Sequence, residues 1–243
     1  MSADKEADLF KQPDSTHLGD CPICCLPLPS NDSTHRRMGC CSKLICNGCS
    51  HANKKREIEQ GLKQRCAFCR EPLPETQEEA YKMVMKRAKK NDPDALSQVG
   101  YKHQRNRDYV TAMKYWTKAA DLGNVSAHYE LSVNYREGLG VEKDMKKYFY
   151  HAQQAAIGGH PDARFNLGCA EARNGRFEKA KKHFTIAANL GCHDSLKRVM
   201  ELCVDGHASK EEYAAALRAY QTAVEAMKSA ERDKASSDAT ELW

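Results

Sequence analysis

Residues 127–159 read AHYELSVNYREGLGVEKDMKKYFYHAQQAAIGG, and this stretch is the unit from which most of the chain is built. Ala127, Leu131 and Tyr135 follow one another at intervals of four residues, so they share one face of a helix. Gly138 and Gly140 then turn the chain, and a second helix runs to the paired glycines at the end of the stretch. The sequence therefore predicts a helix-turn-helix unit here.

The same pattern recurs on both sides of this unit. Alanine pairs followed three residues later by glycine return with steps of 36 and 32 residues, at Ala119-Ala120, Ala155-Ala156 and Ala187-Ala188. A second series keeps steps of 32, 36 and 32 residues, at Ala95, Ala127, Ala163 and Ser195. Small residues let neighbouring helices approach closely, and self-similarity at this period is typical of a helical solenoid.

The pattern A-x3-L-(G/S)-x2-Y-x2-G, followed by K-x-(Y/F) and A-A-x2-G, resembles the Sel-one-like repeat, a relative of the tetratricopeptide repeat. Residues 127–162 and 163–194 match it best, 94–126 is a degraded copy, and 195–228 is a capping copy. The resemblance implies an all-α solenoid of helix-turn-helix repeats over 94–228, with an inner face that binds protein. It implies no chemistry of its own.

Composition limits the class of protein. The chain has 243 residues, of which 41% are hydrophobic and 29% charged, which excludes a largely disordered chain. It lacks a run of about 18 apolar residues, so we expect neither a membrane span nor a membrane partner. The polar start of the sequence is unlike a secretory signal, which predicts a reducing compartment, cytoplasmic or nuclear.

The regions beside the repeats differ in composition. Residues 75–91 carry acidic residues first and basic residues last, an order that suits the helix dipole, and they predict a linker helix. The polar ends, 1–19 and 229–243, predict disorder. Residues 20–72, between the polar N-terminal stretch and the linker helix, form a separate module that is rich in cysteine.

Nine of the twelve cysteines lie in this module, and all of them except Cys25 follow the order C-x2-C-x15-C-C-x4-C-x2-C-x16-C-x2-C. A C-x2-C knuckle places two thiolates on one tetrahedral metal ion, and three such knuckles with one adjacent pair supply eight thiolates. Eight thiolates are enough for two zinc ions in closed, structural sites. A module of this size cannot fold on its apolar core alone, so metal binding would supply folding energy.

This order of cysteines resembles a RING finger of the all-cysteine variety. In that family the first and third pairs hold one zinc ion, and the second and fourth pairs hold the other. The resemblance thus implies a cross-brace with Cys21, Cys24, Cys46 and Cys49 on the first ion, and Cys40, Cys41, Cys66 and Cys69 on the second.

The second pair departs from the family pattern. RING fingers usually have one residue between these two ligands, often as Cys-x-His, whereas Cys40 and Cys41 are adjacent. One of them could therefore be replaced as a ligand, and the alternatives that stay open are Cys25, His35 and His51.

The resemblance also implies a surface for a ubiquitin-conjugating enzyme. Ile23, between the first two ligands, would dock that enzyme, and Arg70, after the last ligand, would bridge it to ubiquitin. Leu26 and Pro72 would extend the apolar rim, and a helix is expected over about Asn53–Lys63. A proline and a tryptophan found in many ligases of this family are missing here.

The sequence thus predicts a RING-type ubiquitin-protein ligase. Its partners would be a ubiquitin-conjugating enzyme charged with ubiquitin and, on the repeats, a protein substrate whose identity the sequence does not give. The alternative is a non-catalytic zinc-binding scaffold, so enzymatic activity stays open. Nucleic acid is a poor partner, because Phe68 is the only aromatic residue in 20–70 for base stacking.

Overall fold

The structure is a computed structural model that describes residues 3–30 and 34–240. None of the helices in these ranges is long and apolar enough to cross a bilayer. In chain order the elements are α1 (Ala3–Leu9), β1 (His35–Arg37), β2 (Leu44–Cys46), α2 (Asn47–Glu59), α3 (Gln77–Ala88), α4 (Pro93–Arg105), α5 (Tyr109–Asp121), α6 (Val125–Glu137), α7 (Met145–Ile157), α8 (Pro161–Arg173), α9 (Phe177–Asn189), α10 (His193–Val204), α11 (Lys210–Ala226) and α12 (Ala230–Thr240).

The eight helices from α4 to α11 pair in sequence order and stack into a solenoid, which confirms the predicted all-α architecture. Each pair packs against the next, so every internal unit is buried by its neighbours. The small residues that carry the repeat are fully buried: Ala95, Ala127, Ala163 and Ser195 at one position, and Ala119, Ala155 and Ala187 at another. Their burial explains why the sequence period is visible.

Polar side chains cap the N-termini of five of these eight helices, α4 to α7 and α11. Asp92 accepts a hydrogen bond from the Ala95 N–H, and Asn124 accepts one from the Ala127 N–H. These side chains satisfy donors that the first helical turn leaves without a partner. The linker helix predicted over 75–91 corresponds to α3, which packs on α4 and extends the solenoid at its start.

Two glycines permit close contact within helix pairs. A Cβ at Gly100 of α4 would lie 2.5 Å from Nε1 of Trp116 on α5, and a Cβ at Gly168 of α8 would lie 2.6 Å from Cε1 of Phe184 on α9. Both aromatic side chains are buried. The missing Cβ is therefore what allows a large aromatic ring to fit between the two helices.

The cysteine-rich module consists of the β1–β2 hairpin, α2 and the loops around them, and it is joined to the start of the solenoid by Arg87 of α3. Nε of Arg87 donates to Oγ of Ser42 at 2.9 Å, and Nη1 donates to the carbonyl of Cys40 at 3.3 Å. Arg87 also forms an ion pair with Asp92, whose Oδ1 accepts from the Ser42 hydroxyl at 3.1 Å. The N-cap of α4 is thus part of the junction.

Both ends of the chain differ from the predicted disorder. Residues 3–9 form α1, and Leu9 is buried in a cluster with α7 and α8. Residues 230–240 form α12, which packs on α2, and Arg232 donates to the carbonyl of Pro27 at 2.8 Å. The contacts that order both ends are made with distant segments of the chain. Local polar composition does not show such contacts, so it predicted disorder. Residues 1–2 and 241–243 lie outside the described residues.

We expect Gly100→Ala to destabilise the solenoid. The new methyl group would collide with Trp116, and overpacking of this kind costs about 1–3 kcal/mol, more than the roughly 0.5–1 kcal/mol gained in helix propensity. Urea unfolding would measure the loss in free energy. Arg105→Ala, an exposed change on the same helix, should stay within about 0.5 kcal/mol of the parent. A Gly100→Ala protein as stable as its parent would contradict this account of the packing.

Candidate metal centre

The first and last cysteine pairs each lie in a backbone turn of the same kind. The N–H of Cys25 donates to the carbonyl of Cys21 at 2.8 Å, and the N–H of Cys21 donates to the carbonyl of Leu26 at 2.9 Å. In the last pair the N–H of Arg70 donates to the carbonyl of Cys66 at 3.0 Å. Cys25 and Arg70 both have left-handed φ values, 56° and 63°, which fold the chain back after the second cysteine of each pair.

The turn between β1 and β2 repeats this geometry and explains the adjacent cysteines. The N–H of Ser42 donates to the carbonyl of Met38 at 2.8 Å, and Ser42 also has a left-handed φ, of 58°. Met38 therefore takes the position of a first knuckle cysteine, and Cys41 takes that of the second. Because the first position holds methionine, the other thiol of this pair comes from Cys40, directly before Cys41.

The third pair begins α2. Cys46 is the N-cap of this helix, and its sulfur accepts a hydrogen bond from the N–H of Cys49 at 3.4 Å. The helix expected over Asn53–Lys63 therefore begins six residues earlier, at Asn47, and ends at Glu59. The knuckle itself supplies the capping group, a role that sequence reasoning had not given to cysteine.

The structure brings eight of the predicted residues into two groups of four. In each group the four sulfur atoms lie within 4.8 Å of one another, and all twelve cysteines are free thiols. The groups are Cys21, Cys24, Cys46 and Cys49, and Cys40, Cys41, Cys66 and Cys69. Within the described residues, neither group includes Cys25, His35 or His51.

The sulfur spacing fits tetrahedral coordination. Cys24 and Cys46 are 3.8 Å apart, Cys41 and Cys66 are 3.9 Å apart, and Cys69 and Cys40 are 3.4 Å apart, each measured between sulfurs. A zinc–sulfur bond of about 2.3 Å gives a tetrahedron with edges of about 3.8 Å. Both groups could hold a metal ion.

The protonation of the first group shows what a metal would change. Burial opposes ionisation of Cys21, but hydrogen bonds from the backbone N–H groups of Cys24 and Cys46 lower its pKa to about 7. Burial and the neighbouring sulfurs instead raise the pKa of Cys49. Four thiolates so close together repel one another, so a dication is what would allow all four to ionise.

The second group shows the same division. Hydrogen bonds from the backbone N–H groups of Cys69 and Phe68 outweigh burial and lower the pKa of Cys66. Burial raises the pKa of Cys41 to about 11 and also raises that of Cys40. One thiol in each group thus ionises more readily than the neighbouring thiols whose pKa values are raised.

A cation from the far end of the chain lies beside the first group. Nη2 of Arg232 is 3.7 Å from the sulfur of Cys24 and donates to the carbonyl of Leu26 at 3.2 Å. Burial raises the pKa of the neighbouring Cys46, and the Arg232 guanidinium acts against this rise. The polar sequence around Arg232 gave no signal of this role, since the contact depends on α12 folding back onto the module.

Glu57 of α2 ties the last knuckle to the helix. Its carboxylate is almost fully buried and accepts hydrogen bonds from the Arg65 N–H at 2.9 Å, the Asn53 amide at 3.1 Å and Nη2 of Arg70 at 3.0 Å. Nη1 of Arg70 also donates to Oδ1 of Asn53 at 2.9 Å. The guanidinium of Arg70, predicted to bridge two partners, is therefore held on the module itself.

The other predicted docking residues lie at the surface of the module to different degrees. Ile23 is 42% exposed and Pro72 is exposed, whereas Leu26 is partly buried next to α12. The module also exposes large apolar side chains that the sequence did not single out as one surface: Ile58, Leu62 and Phe68. The surface of the module therefore exposes apolar side chains that are not buried in its own core.

Comparison with known proteins identifies the repeats. The Sel1 repeat family model matches residues 93–124, 125–160 and 161–192, so these three units are Sel1 repeats. The matched units begin one or two residues before the predicted boundaries.

Solved structures and a curated relative resemble the same part of the chain. A Sel1 repeat protein from Oxalobacter formigenes has 24% identity and a TM-score of 0.55, covering 73% of this chain and 72% of that one. The protective antigen c5321 of uropathogenic Escherichia coli, with an SLR fold, has 21% identity and a TM-score of 0.52, covering 73% and 37%. These likenesses show the fold alone.

The curated relative is a Helicobacter pylori protein named "Putative beta-lactamase HcpC". It is 43% identical over 56 residues, which are 23% of this chain and 19% of the relative. The chain thus matches about a fifth of the length of that protein.

We expect the protein to bind two divalent metal ions, each coordinated tetrahedrally by four cysteines. Titration of the reduced protein with Co²⁺ should develop sulfur-to-cobalt charge-transfer absorption that saturates at two ions per chain. Binding should weaken as the pH falls, because protons compete for the thiolates. Cys24→Ser should lower the affinity of one site, and Cys25→Ser, outside both groups, should not. Saturation at one ion, or equal losses in both variants, would contradict the assignment.

Proposed function

We propose that the chain is a RING-type ubiquitin-protein ligase that recruits a charged ubiquitin-conjugating enzyme through its module and a protein substrate through its repeats. The observation that carries the proposal is the interleaving of the two groups. The first and third cysteine pairs meet in one group, and the second and fourth pairs meet in the other. This is the cross-brace order of the RING family. An intracellular location, cytoplasmic or nuclear, is part of the proposal.

Zinc is the metal we propose for both groups. Four thiolates at tetrahedral spacing suit Zn²⁺, and sites closed by four protein ligands are structural. The ions would supply folding energy to the module and leave the chemistry to its partner.

The reaction we propose is transfer by positioning. Ubiquitin arrives as a thioester on the conjugating enzyme, and a substrate lysine attacks its carbonyl. The thioester bond breaks, an isopeptide bond forms, and the enzyme's cysteine leaves as a thiol. Ile23 would contact the conjugating enzyme, while Arg70 would restrain ubiquitin through its rigid set of donors. The repeats would hold the substrate close and so raise its effective concentration.

One observation favours the alternative, a zinc-binding scaffold without activity. Arg70 is bound to Glu57 and Asn53 in the free module, so two of its five donors are already used. In a scaffold these bonds would be the whole role of Arg70. In a ligase they would be exchanged for bonds to the conjugating enzyme and ubiquitin.

We expect self-ubiquitination by the zinc-loaded protein to collapse in Ile23→Ala. The side chain is exposed, so its removal takes away docking area and leaves the core of the module intact. A panel of conjugating enzymes would provide the assay, with zinc content as a check. Val110→Ala, at a similarly exposed apolar residue of α5, should keep full activity. Absence of activity with every enzyme, in a protein carrying two zinc ions, would favour the scaffold.

The pair Arg70→Ala and Glu57→Gln separates docking from structure. Arg70→Ala removes the donors and should abolish transfer, whereas Glu57→Gln keeps the guanidinium and weakens its internal partner. A ligase should therefore retain activity in Glu57→Gln, at the cost of a module less stable by about 1–3 kcal/mol. Equal loss of activity in both variants, tracking the loss of stability, would show that Arg70 acts only as a structural residue.

A further inference from the structure

The N-terminal segment lies across three helices of the solenoid. Leu9 is only 4% exposed and belongs to the same buried cluster as Tyr148 and Ala152 of α7. Downstream, the N–H of His17 donates to the carbonyl of Gly159 at 3.2 Å. A Cβ at Gly159 would lie 2.8 Å from the carbonyl oxygen of Ser15, so the segment sits directly on the backbone there.

Arg164 of α8 holds the segment by its main chain. Its Nη1 donates to the carbonyl of Leu9 at 2.6 Å, and its Nη2 donates to the carbonyl of Lys11 at 3.1 Å. The Arg164 side chain is fully buried, neither of these partners is a carboxylate, and Nε has no hydrogen-bond partner. Burial alone lowers the pKa of Arg164 to about 10. The segment therefore covers a buried cation without neutralising it.

Side chains on either side of these two carbonyls are matched by groups on α9. The ring of Phe10 lies 4.7 Å from that of His183 between centroids, and Nζ of Lys179 lies 2.7 Å from Oε1 of Glu6. Arg164 and Lys179 also hold His183 neutral, because burial and these two cations lower its pKa to about 3. The surface thus presents an apolar recess in a cationic setting.

The repeat register shows why there is room here. Ala152 stands one repeat after Trp116 and one repeat before Phe184, with the steps of 36 and 32 residues that separate the units. Those two positions carry large buried aromatic rings, whereas Ala152 carries a methyl group and shares its cluster with Leu9. The middle unit is completed by a side chain from outside the solenoid.

We propose that this surface, the α7–α9 groove formed by Tyr148, Ala152, Arg164, Lys179 and His183, binds a partner peptide with an acidic residue followed by a Leu-Phe pair. Residues 6–12 of this chain occupy it as an internal ligand with that chemistry. The proposal rests on the proposed role of the repeats as the substrate arm and names the class of segment that the arm takes.

A partner that carries an additional carboxylate opposite Arg164 can bind better than the internal segment, whose own acidic residue pairs with Lys179. A carboxylate placed on Arg164 would form charge-assisted hydrogen bonds, where the internal segment offers neutral carbonyls. The tethered segment, present at an effective concentration of about a millimolar, would weaken the apparent affinity of every partner until it is displaced.

The test is the binding of a fluorescein-labelled synthetic peptide of residues 3–14 to the full-length, zinc-loaded protein, followed by anisotropy. The parent should bind weakly, because its own segment fills the groove. Leu9→Asp should expel the segment and bind the peptide about tenfold or more tightly. Ala7→Asp, which adds the same charge at an exposed position of α1, should behave as the parent. A peptide carrying aspartate in place of its leucine should not bind, and this arm is independent of protein folding.

Two results would overturn the proposal. One is no binding to a Leu9→Asp protein whose circular dichroism and zinc content match the parent. The other is equal binding to parent and variant, which would mean that the segment does not occupy the groove. Self-ubiquitination measured on the same samples separates the two proposals, since peptide binding without ligase activity would refute only the ligase, and the reverse would refute only the groove.

Discussion

Close packing within helix pairs, made possible by glycine and alanine at the contacts, is the constraint on which the rest of this structure depends. Gly100 lacks the Cβ that would collide with Trp116, and Gly168 lacks the Cβ that would collide with Phe184. In both pairs a large ring therefore packs directly against the facing helix. Each pair then packs against the next along the solenoid. The start of α4 and the α7–α9 groove are both placed by this stacking.

The cysteine-rich module is organised by a different principle and then joined to the solenoid. Its apolar core is small, and its shape comes from repeated backbone turns that gather eight sulfurs into two groups. Arg87 fixes the turn that carries Cys40 and Cys41 to the N-cap of α4, while Arg232 of α12 reaches the first group from the other end of the chain. The module is therefore contacted by α3, at the start of the solenoid, and by α12, which follows the end of the solenoid.

The two proposals meet in one short stretch of chain. The segment that fills the α7–α9 groove leads directly into the first cysteine pair, and on the way His17 stacks on His160 at 4.1 Å between ring centroids. Hydrogen bonding from the Thr16 hydroxyl to the carbonyl of Leu28, at 3.5 Å, continues this contact into the module. A partner that displaces residues 6–12 would thus act on a segment that ends nine residues before the first proposed metal ligand, Cys21. The proposed groove and the module are therefore connected by one short segment of chain.

The sequence by itself determined the solenoid and which eight cysteines form the two groups, because both follow from the spacing of residues along the chain. A repeat of 32 to 36 residues and a C-x2-C knuckle each need only neighbours along the chain to be recognised. The rest was decided by contacts between distant segments. The burial of Glu57, the charge of Arg232 beside Cys24 and the hold of Arg164 on Leu9 join residues 13, 208 and 155 positions apart. The polar ends looked disordered for the same reason, since what orders them lies elsewhere in the chain, on α2 and on α7 to α9.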